Sequence, residues 1–189
     1  WNPLPMSPPK ETRIAVLGNG TMGAAISRAL AAMGYSVAVA CRTRPDKPQA
    51  GIHYHSGADA LAATCEGSRI AINVLPLTEA TANILNRRLF DRLEPGAWLI
   101  QIGRGEHLHE ADFSAALDSG QLAGASLDVF REEPLPKAHP FWNDDRLRIT
   151  PHIASDSTPS VVAEQVHTSA IDLLKGRRPR LAIDRDQGY

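Results

Sequence analysis

Six residues near the start of the chain, Gly18-Asn19-Gly20-Thr21-Met22-Gly23, restrict the fold more than any others. They follow a short apolar run, Arg13-Ile14-Ala15-Val16-Leu17, and precede an Ala-rich stretch over 24–33 with apolar residues at helical spacing. The run has the length and flanks of a buried strand, and Gly34 stands where a helix C-cap belongs. A G-x-G-x-x-G pattern means little alone, but between a strand and a helix each glycine has a mechanical role. Gly18 permits the tight turn, Gly20 lets the backbone come close to a pyrophosphate, and Gly23 lets helix and strand pack together. The N–H groups of Thr21, Met22 and Gly23 at the helix start, with the helix macrodipole behind them, then favour an anion.

The rest of the chain repeats the strand–helix alternation. Strands are predicted over 37–40, 70–75, 97–102, 125–127 and 148–150, and helices over 58–65, 110–117 and 161–174. Most strand runs are apolar at every position, the pattern of a parallel sheet covered on both faces. Right-handed crossovers then give an α/β doubly wound parallel sheet, the Rossmann fold, with a C-terminal helix. Residues 1–11, with Pro3, Pro5, Pro8 and Pro9, read as an extended linker; 12–155 as the dinucleotide-binding domain; 156–189 as a helix and tail.

Composition narrows the function classes. The 189 residues are 43% hydrophobic, enough for a sizeable core, and the net charge of -1 offers no bulk attraction to nucleic acid or membrane. Two cysteines, Cys41 and Cys65, are too few for a disulfide framework and are expected as reduced thiols in the cytosol. No apolar run approaches the roughly 20 residues of a membrane span. The start lacks the pattern of a signal peptide and an initiator Met, so a fragment of a longer protein is expected.

A nicotinamide dinucleotide without a 2′-phosphate usually meets an acidic residue about 20 residues past the glycines. Here the second strand runs into Arg42-Thr43-Arg44, with no carboxylate before Asp46. Two guanidiniums beside a hydroxyl suit a 2′-phosphate. NADP(H) is therefore expected as the preferred cofactor and NAD(H) as the secondary one.

Three polar stretches fall just after predicted strands, where open α/β sheets bind ligands. They are Gly103-Arg104-Gly105; Asp128-Val129-Phe130-Arg131-Glu132-Glu133-Pro134-Leu135; and Pro151-His152-Ile153-Ala154. In these motifs and their order, along essentially the whole chain, the sequence resembles the D-isomer-specific 2-hydroxyacid dehydrogenases. Within that family it looks most like the glyoxylate/hydroxypyruvate reductase A branch, on Arg42-Thr43-Arg44, Glu133-Pro134-Leu135-Pro136 and the ending Asp184-Arg185-Asp186-Gln187-Gly188-Tyr189.

The chemistry such a family performs needs these residue types. Reduction of a 2-keto acid places a hydride on the carbonyl carbon and negative charge on its oxygen. A histidine can deliver the proton near neutral pH, a neighbouring carboxylate stabilises the imidazolium and fixes the ring, and a guanidinium can hold the substrate carboxylate and polarise the carbonyl. The resemblance implies these roles for His152, Glu133 and Arg104. It also implies that Asp128 lies near the nicotinamide, that Gly103 is among the cofactor-binding residues and that Leu75, Pro76 and Thr78 line the cofactor cleft. Glu132 rivals Glu133, and only the place directly before Pro134 favours the latter. The expected activity is NADPH-dependent reduction of small 2-keto acids, of the glyoxylate or hydroxypyruvate type, to D-2-hydroxy acids, in a cytoplasmic homodimer. A dinucleotide-sensing module without turnover, like the family's co-repressor relatives, is the alternative.

Gln101 departs from the Asn that many members carry before the Arg-Gly pair, and Asn143-Asp144-Asp145 reads as a surface turn without the proline of relatives. The pairs His53/His55 and His107/His109 would each face one side of a strand, but no further ligands stand at metal-site spacing, so no metal is expected. His139 and His167 read as surface or helix residues, and Trp98 and Trp142 as packing residues. The family's N-terminal substrate domain is expected before Trp1, with the last helix packing on it. These 189 residues alone are then expected to bind cofactor and to turn over poorly.

Overall fold

Strands that are apolar on both faces need cover on both, and the computed structural model, which describes residues 7–155, 157–179 and 182–183, provides it. The strands are β1 (Arg13–Leu17), β2 (Ser36–Ala40), β3 (Ile52–His55), β4 (Ile70–Asn73), β5 (Ala97–Gln101), β6 (Leu122–Leu127) and β7 (Leu147–Ile149). The helices are α1 (Thr21–Ala32), α2 (Ala60–Cys65), α3 (Arg87–Phe90), α4 (Glu110–Asp118) and α5 (Pro159–Leu174). All pairings are parallel, in the order β3-β2-β1-β4-β5-β6-β7. The order reverses between β1 and β4, which makes the cleft above their C-terminal ends the topological switch point.

Alternate residues of each strand feed two cores. Ile14, Val16, Val37, Val39 and Ile72 pack with Ile26 and Leu30 of α1 on one face. Ala15, Leu17, Ala71 and Leu99 pack with the residues of α2, α3 and α4 on the other, around Phe113, which lies edge-on to Phe141 at 5.6 Å and tilted to Phe90 at 6.3 Å. Trp98 packs over Gly124, where an added Cβ would come within 2.3 Å of the indole. Trp142, expected like Trp98 as a packing residue, is half-exposed, its indole N–H donating to the Pro136 carbonyl at 2.9 Å.

Two elements differ from the sequence reading by their presence. β3 is an edge strand in which polar and apolar residues alternate, Ile-His-Tyr-His, and α3 spans a single turn. The first residues also differ: Pro9–Glu11 forms a 3-10 turn rather than extended linker, and residues 1–6 lie outside the described ones. The chain divides into two units, up to His152 and from Ile153 on. In the second, Pro159 opens α5 in its first turn, where its missing N–H costs nothing, and Gly176, at φ +67°, follows its end. The ending 184–189 lies outside the described residues.

Candidate active site

The loop from β1 to α1 is shaped by backbone contacts. Gly18 has φ +112°, the left-handed half of the map that glycine enters freely, and a Cβ on it would meet the Val74 carbonyl oxygen at 3.1 Å. A Cβ on Gly23 would sit 2.0 Å from the Gly18 oxygen, inside any tolerable contact. Gly20, the N-cap of α1, differs: a Cβ there would meet nothing within 4 Å, and no side chain caps the helix. A helix of twelve residues thus begins at an open, uncapped face, the geometry that receives a diphosphate. Thr21 and Met22 form its first turn. The residues fit a dinucleotide at this point.

The other expected residues lie beyond the same ends of the strands. Arg42, Thr43 and Arg44 follow β2 and are exposed. Burial pushes the Cys41 thiol above its ordinary value, and the charge of Arg44 partly offsets it. Leu75 and Pro76 follow β4. Thr78 lies in a loop tied by Thr81, whose hydroxyl accepts from the Thr78 N–H at 2.8 Å and donates to the Pro76 carbonyl at 2.8 Å.

Glu133 and His152 meet. Glu133 Oε2 lies 2.8 Å from His152 Nδ1, while Oε1 accepts the Phe130 N–H at 2.9 Å. Burial alone would raise the Glu133 carboxyl, but the hydrogen bond with His152, the Phe130 N–H and the charges of His152 and Arg104 outweigh it and hold the group below its ordinary value. An ionised carboxylate only accepts, so Nδ1 carries the proton of this bond and Nε2 is the ring atom available for proton transfer. His152 has φ +55°, a left-handed conformation that His adopts more readily than most residues, and its N–H donates to the Asp128 carbonyl at 2.9 Å. Asp128 is buried and its carboxylate accepts the Thr150 hydroxyl. It is Glu133, not Glu132, that takes the histidine.

Arg104 follows β5 as an exposed residue between the buried Gly103 and Gly105, its guanidinium donating to the Gly103 carbonyl at 2.8 Å. The glycine after it is required. A Cβ on Gly105 would fall 1.9 Å from the Phe130 carbonyl carbon, so this loop rests directly on the backbone that carries Glu133. Arg131 reinforces the seam, its guanidinium donating to the carbonyls of Leu108 at 2.8 Å and Glu106 at 3.1 Å and to the side chain of Asn83. The structure therefore pairs Glu133 with His152 and lays the loop that carries Arg104, through Gly105, on the backbone next to Glu133.

Behind this site lies a network that the sequence reading did not assemble: it noted Gln101 and His107 singly and passed over Asn73. Asn73, Gln101 and His107 are buried and hydrogen-bonded to one another or to the backbone of the loops, and Gly103 packs against Asn73 and His107. The signal for Asn73 was the lone polar residue in an apolar strand, which burial obliges to find partners. The two His-x-His pairs separate in kind. His53 and His55 do lie on β3, but His107 sits in the 3-10 turn Gly105–His107, and His109 is the N-cap of α4, its Nδ1 accepting the Asp112 N–H at 3.4 Å. Among the described residues no group of three or more His, Cys, Asp or Glu gathers as a metal site. His139 is more enclosed than a surface residue, its ring edge-on to Phe141 at 4.5 Å and 3.6 Å from Glu110, and His167 is exposed on α5. Asn143-Asp144-Asp145 lies at the surface as expected, and Asp144 clamps Arg146 at 2.7 Å.

A parallel sheet in the order 3-2-1-4-5-6-7 with a diphosphate-shaped turn after β1 defines a dinucleotide-binding domain of the doubly wound class. More narrowly, the family model for the D-isomer specific 2-hydroxyacid dehydrogenase NAD binding domain matches residues 1–154, and the chain belongs to that family. A glyoxylate/hydroxypyruvate reductase A of Serratia proteamaculans is 42% identical over 189 residues, 100% of this chain and 60% of the relative. A solved D-isomer specific 2-hydroxyacid dehydrogenase from Xanthobacter autotrophicus Py2, in complex with NADPH and MES, has a TM-score of 0.93 at 35% identity, covering 100% of this chain and 77% of that one. The NADPH-dependent glyoxylate/hydroxypyruvate reductase of Sinorhizobium meliloti, in complex with NADP and sulfate, has a TM-score of 0.93 at 31% identity, covering 100% of this chain and 60% of that one. The chain spans 60% of the length of the curated relatives it matches.

Proposed function

We propose that this chain is the cofactor-binding part of an NADPH-dependent reductase of small 2-keto acids, of the glyoxylate or hydroxypyruvate kind, yielding D-2-hydroxy acids. The observation that carries the reading is the Glu133–His152 hydrogen bond of 2.8 Å at the strand ends that also carry the open glycine turn. NADPH, when bound, supplies the hydride. The N–H groups opening α1 hold the diphosphate, with Gly20 leaving room for it, and Arg42, Thr43 and Arg44 take the 2′-phosphate. Arg104 holds the substrate carboxylate and polarises the carbonyl, while Asp128 and Gly103 border the nicotinamide and Leu75, Pro76 and Thr78 line the cleft. His152, protonated, gives its Nε2 proton to the developing alkoxide, and Glu133 stabilises the imidazolium and keeps the ring in place. A homodimer in the cytoplasm belongs to the same proposal; among the described residues no helix is long and apolar enough to cross a membrane.

The test has two parts. Titration of the chain with NADPH, followed by nucleotide fluorescence, reads binding. Glyoxylate- or hydroxypyruvate-dependent oxidation of NADPH by the full-length protein reads turnover. His152→Gln abolishes the second and spares the first; turnover that survives it contradicts the assignment.

A further inference from the structure

One fully buried side chain spans the two loops between which the reaction would take place, and the mechanism above does not use it. His107 is wholly enclosed. Its Nδ1 lies 3.1 Å from the backbone N–H of Arg104 and 3.0 Å from the side-chain amide of Asn73. A backbone N–H can only donate, so Nδ1 is an acceptor and carries no proton. The ring's other nitrogen, Nε2, is 3.2 Å from the Pro76 carbonyl, which can only accept, so Nε2 carries the hydrogen. The tautomer is thus set by its partners on both sides. Each partner belongs to a different loop: Arg104 to the one leaving β5, Pro76 to the one leaving β4.

The neighbours keep the ring from serving any other purpose. Asn73 donates its second amide hydrogen to Gln101 Oε1 at 2.7 Å and accepts the Leu75 N–H at 3.3 Å. Gln101 Oε1 also accepts the Gly103 N–H at 3.1 Å, and its amide donates to the Arg104 carbonyl at 2.9 Å. The glutamine at 101 is long enough to engage both ends of the Gly103–Arg104 peptide. Thr81 reaches the Pro76 carbonyl too, but from within the same loop. Burial pushes His107 below the ordinary histidine value and the Arg104 charge acts in the same direction, while the hydrogen bond with Pro76 and the charge of Glu106 pull the other way. A protonated ring would turn an N–H against two donors.

We infer that His107 is a positioning residue: its neutral Nε2–H imidazole ties the loop bearing Arg104 to the loop bearing Leu75 and Pro76, and so sets the substrate-binding guanidinium against the wall of the cofactor cleft. This rests on the functional reading above. Its role is separable from general packing because the two nitrogens do different work, and side chains exist that keep one at a time. Glutamine keeps a donor at the reach of Nε2; asparagine keeps only an acceptor at the place of Nδ1; leucine keeps neither.

The experiment uses this chain with NADPH as the probe, and reads dissociation constants by fluorescence and unfolding midpoints for the unsubstituted chain, His107→Gln, His107→Asn and His107→Leu. The expected result is a loss of NADPH affinity of at least about tenfold in His107→Leu and His107→Asn, with His107→Gln restored to within about threefold, in an order that does not follow the unfolding midpoints. In parallel, two-bond 15N–1H correlations on the unsubstituted chain should show a neutral ring protonated at Nε2 that titrates below a solvated histidine. Equal affinity in all three variants, losses that merely track stability, or a ring protonated at Nδ1 overturns the inference. The ring measurement decides even if no variant folds. If the unsubstituted chain does not bind NADPH, the functional reading itself falls; if it binds and the leucine variant binds as well, only the positioning role does.

Discussion

Gly20 and Gly23 sit in one motif, yet the structure predicts opposite consequences for the same added methyl group. In Gly23→Ala the new carbon would lie 2.0 Å from the Gly18 oxygen, 2.9 Å from its carbonyl carbon and 3.1 Å from a Val74 methyl. The nearest obstacle is backbone, so relief requires opening the turn. Overpacking costs about 1–3 kcal/mol, and a backbone clash of this depth belongs at or above the top of that range. Against a total stability of about 5–15 kcal/mol, that is a large fraction. In Gly20→Ala the carbon meets nothing within 4 Å, and φ of -71° suits alanine. Losing a glycine N-cap costs a few tenths to about 1 kcal/mol, and the stiffer unfolded chain returns about 0.4–1 kcal/mol, so the net change stays within about 0.5 kcal/mol. NADPH affinity should nonetheless fall at least about tenfold, because the methyl occupies the space through which the diphosphate approaches the backbone. Denaturant unfolding gives the stabilities and fluorescence titration the affinities. A Gly23→Ala chain as stable as the original, or a Gly20→Ala chain that binds NADPH unchanged, would refute the reasoning.

Replacing Arg42 and Arg44 together by Ser should weaken NADPH by roughly ten- to a hundredfold and leave NADH nearly unchanged, since each guanidinium contributes a charge-assisted hydrogen bond to the 2′-phosphate; equal binding of the two nucleotides by the unsubstituted chain removes the argument. Glu133 has a folded-state pKa below its ordinary value, so its stabilising contribution is present above the ordinary glutamate range and is lost as pH falls through the lowered value. Because the pair is partly exposed, that contribution is screened and stays below about 1 kcal/mol, and Glu133→Gln should remove it and flatten stability against pH in the acid range. Phe113→Ala should cost about 3–5 kcal/mol in denaturant unfolding, as the ring is fully buried and contacts two other aromatic rings.

The inner strands were legible because each is an apolar run with two faces to bury, and β1, β2, β4 and β5 stand within a residue or two of their predicted bounds. β3 was not, since an edge strand has one partner and its histidines interrupt the apolar signal. α3, a single turn capped by Asn86, is too short for helical periodicity to register. The glycine turn could be read because its requirements are local. The expected grouping of Arg104, Glu133 and His152 came from family motifs, and the contact that lays the Arg104 loop on Phe130, at the bare Gly105 backbone, shows only in three dimensions. The same holds for Asn73, Gln101 and His107. They are scattered over two strand ends and a turn, and nothing in the chain order announces that one ring accepts from one loop and donates to another.

In the proposed arrangement the diphosphate lies on the turn after β1 and the nicotinamide points toward the Glu133–His152 pair. Intermolecular NOEs in the chain saturated with NADP report that orientation without any need for turnover. The predicted result is a cross-peak from the nicotinamide C4 proton to the His152 ring, with the adenosine ribose protons near Arg42 and Arg44. Nicotinamide contacts at Arg42 and Arg44, or none at His152 in a saturated complex, would contradict it.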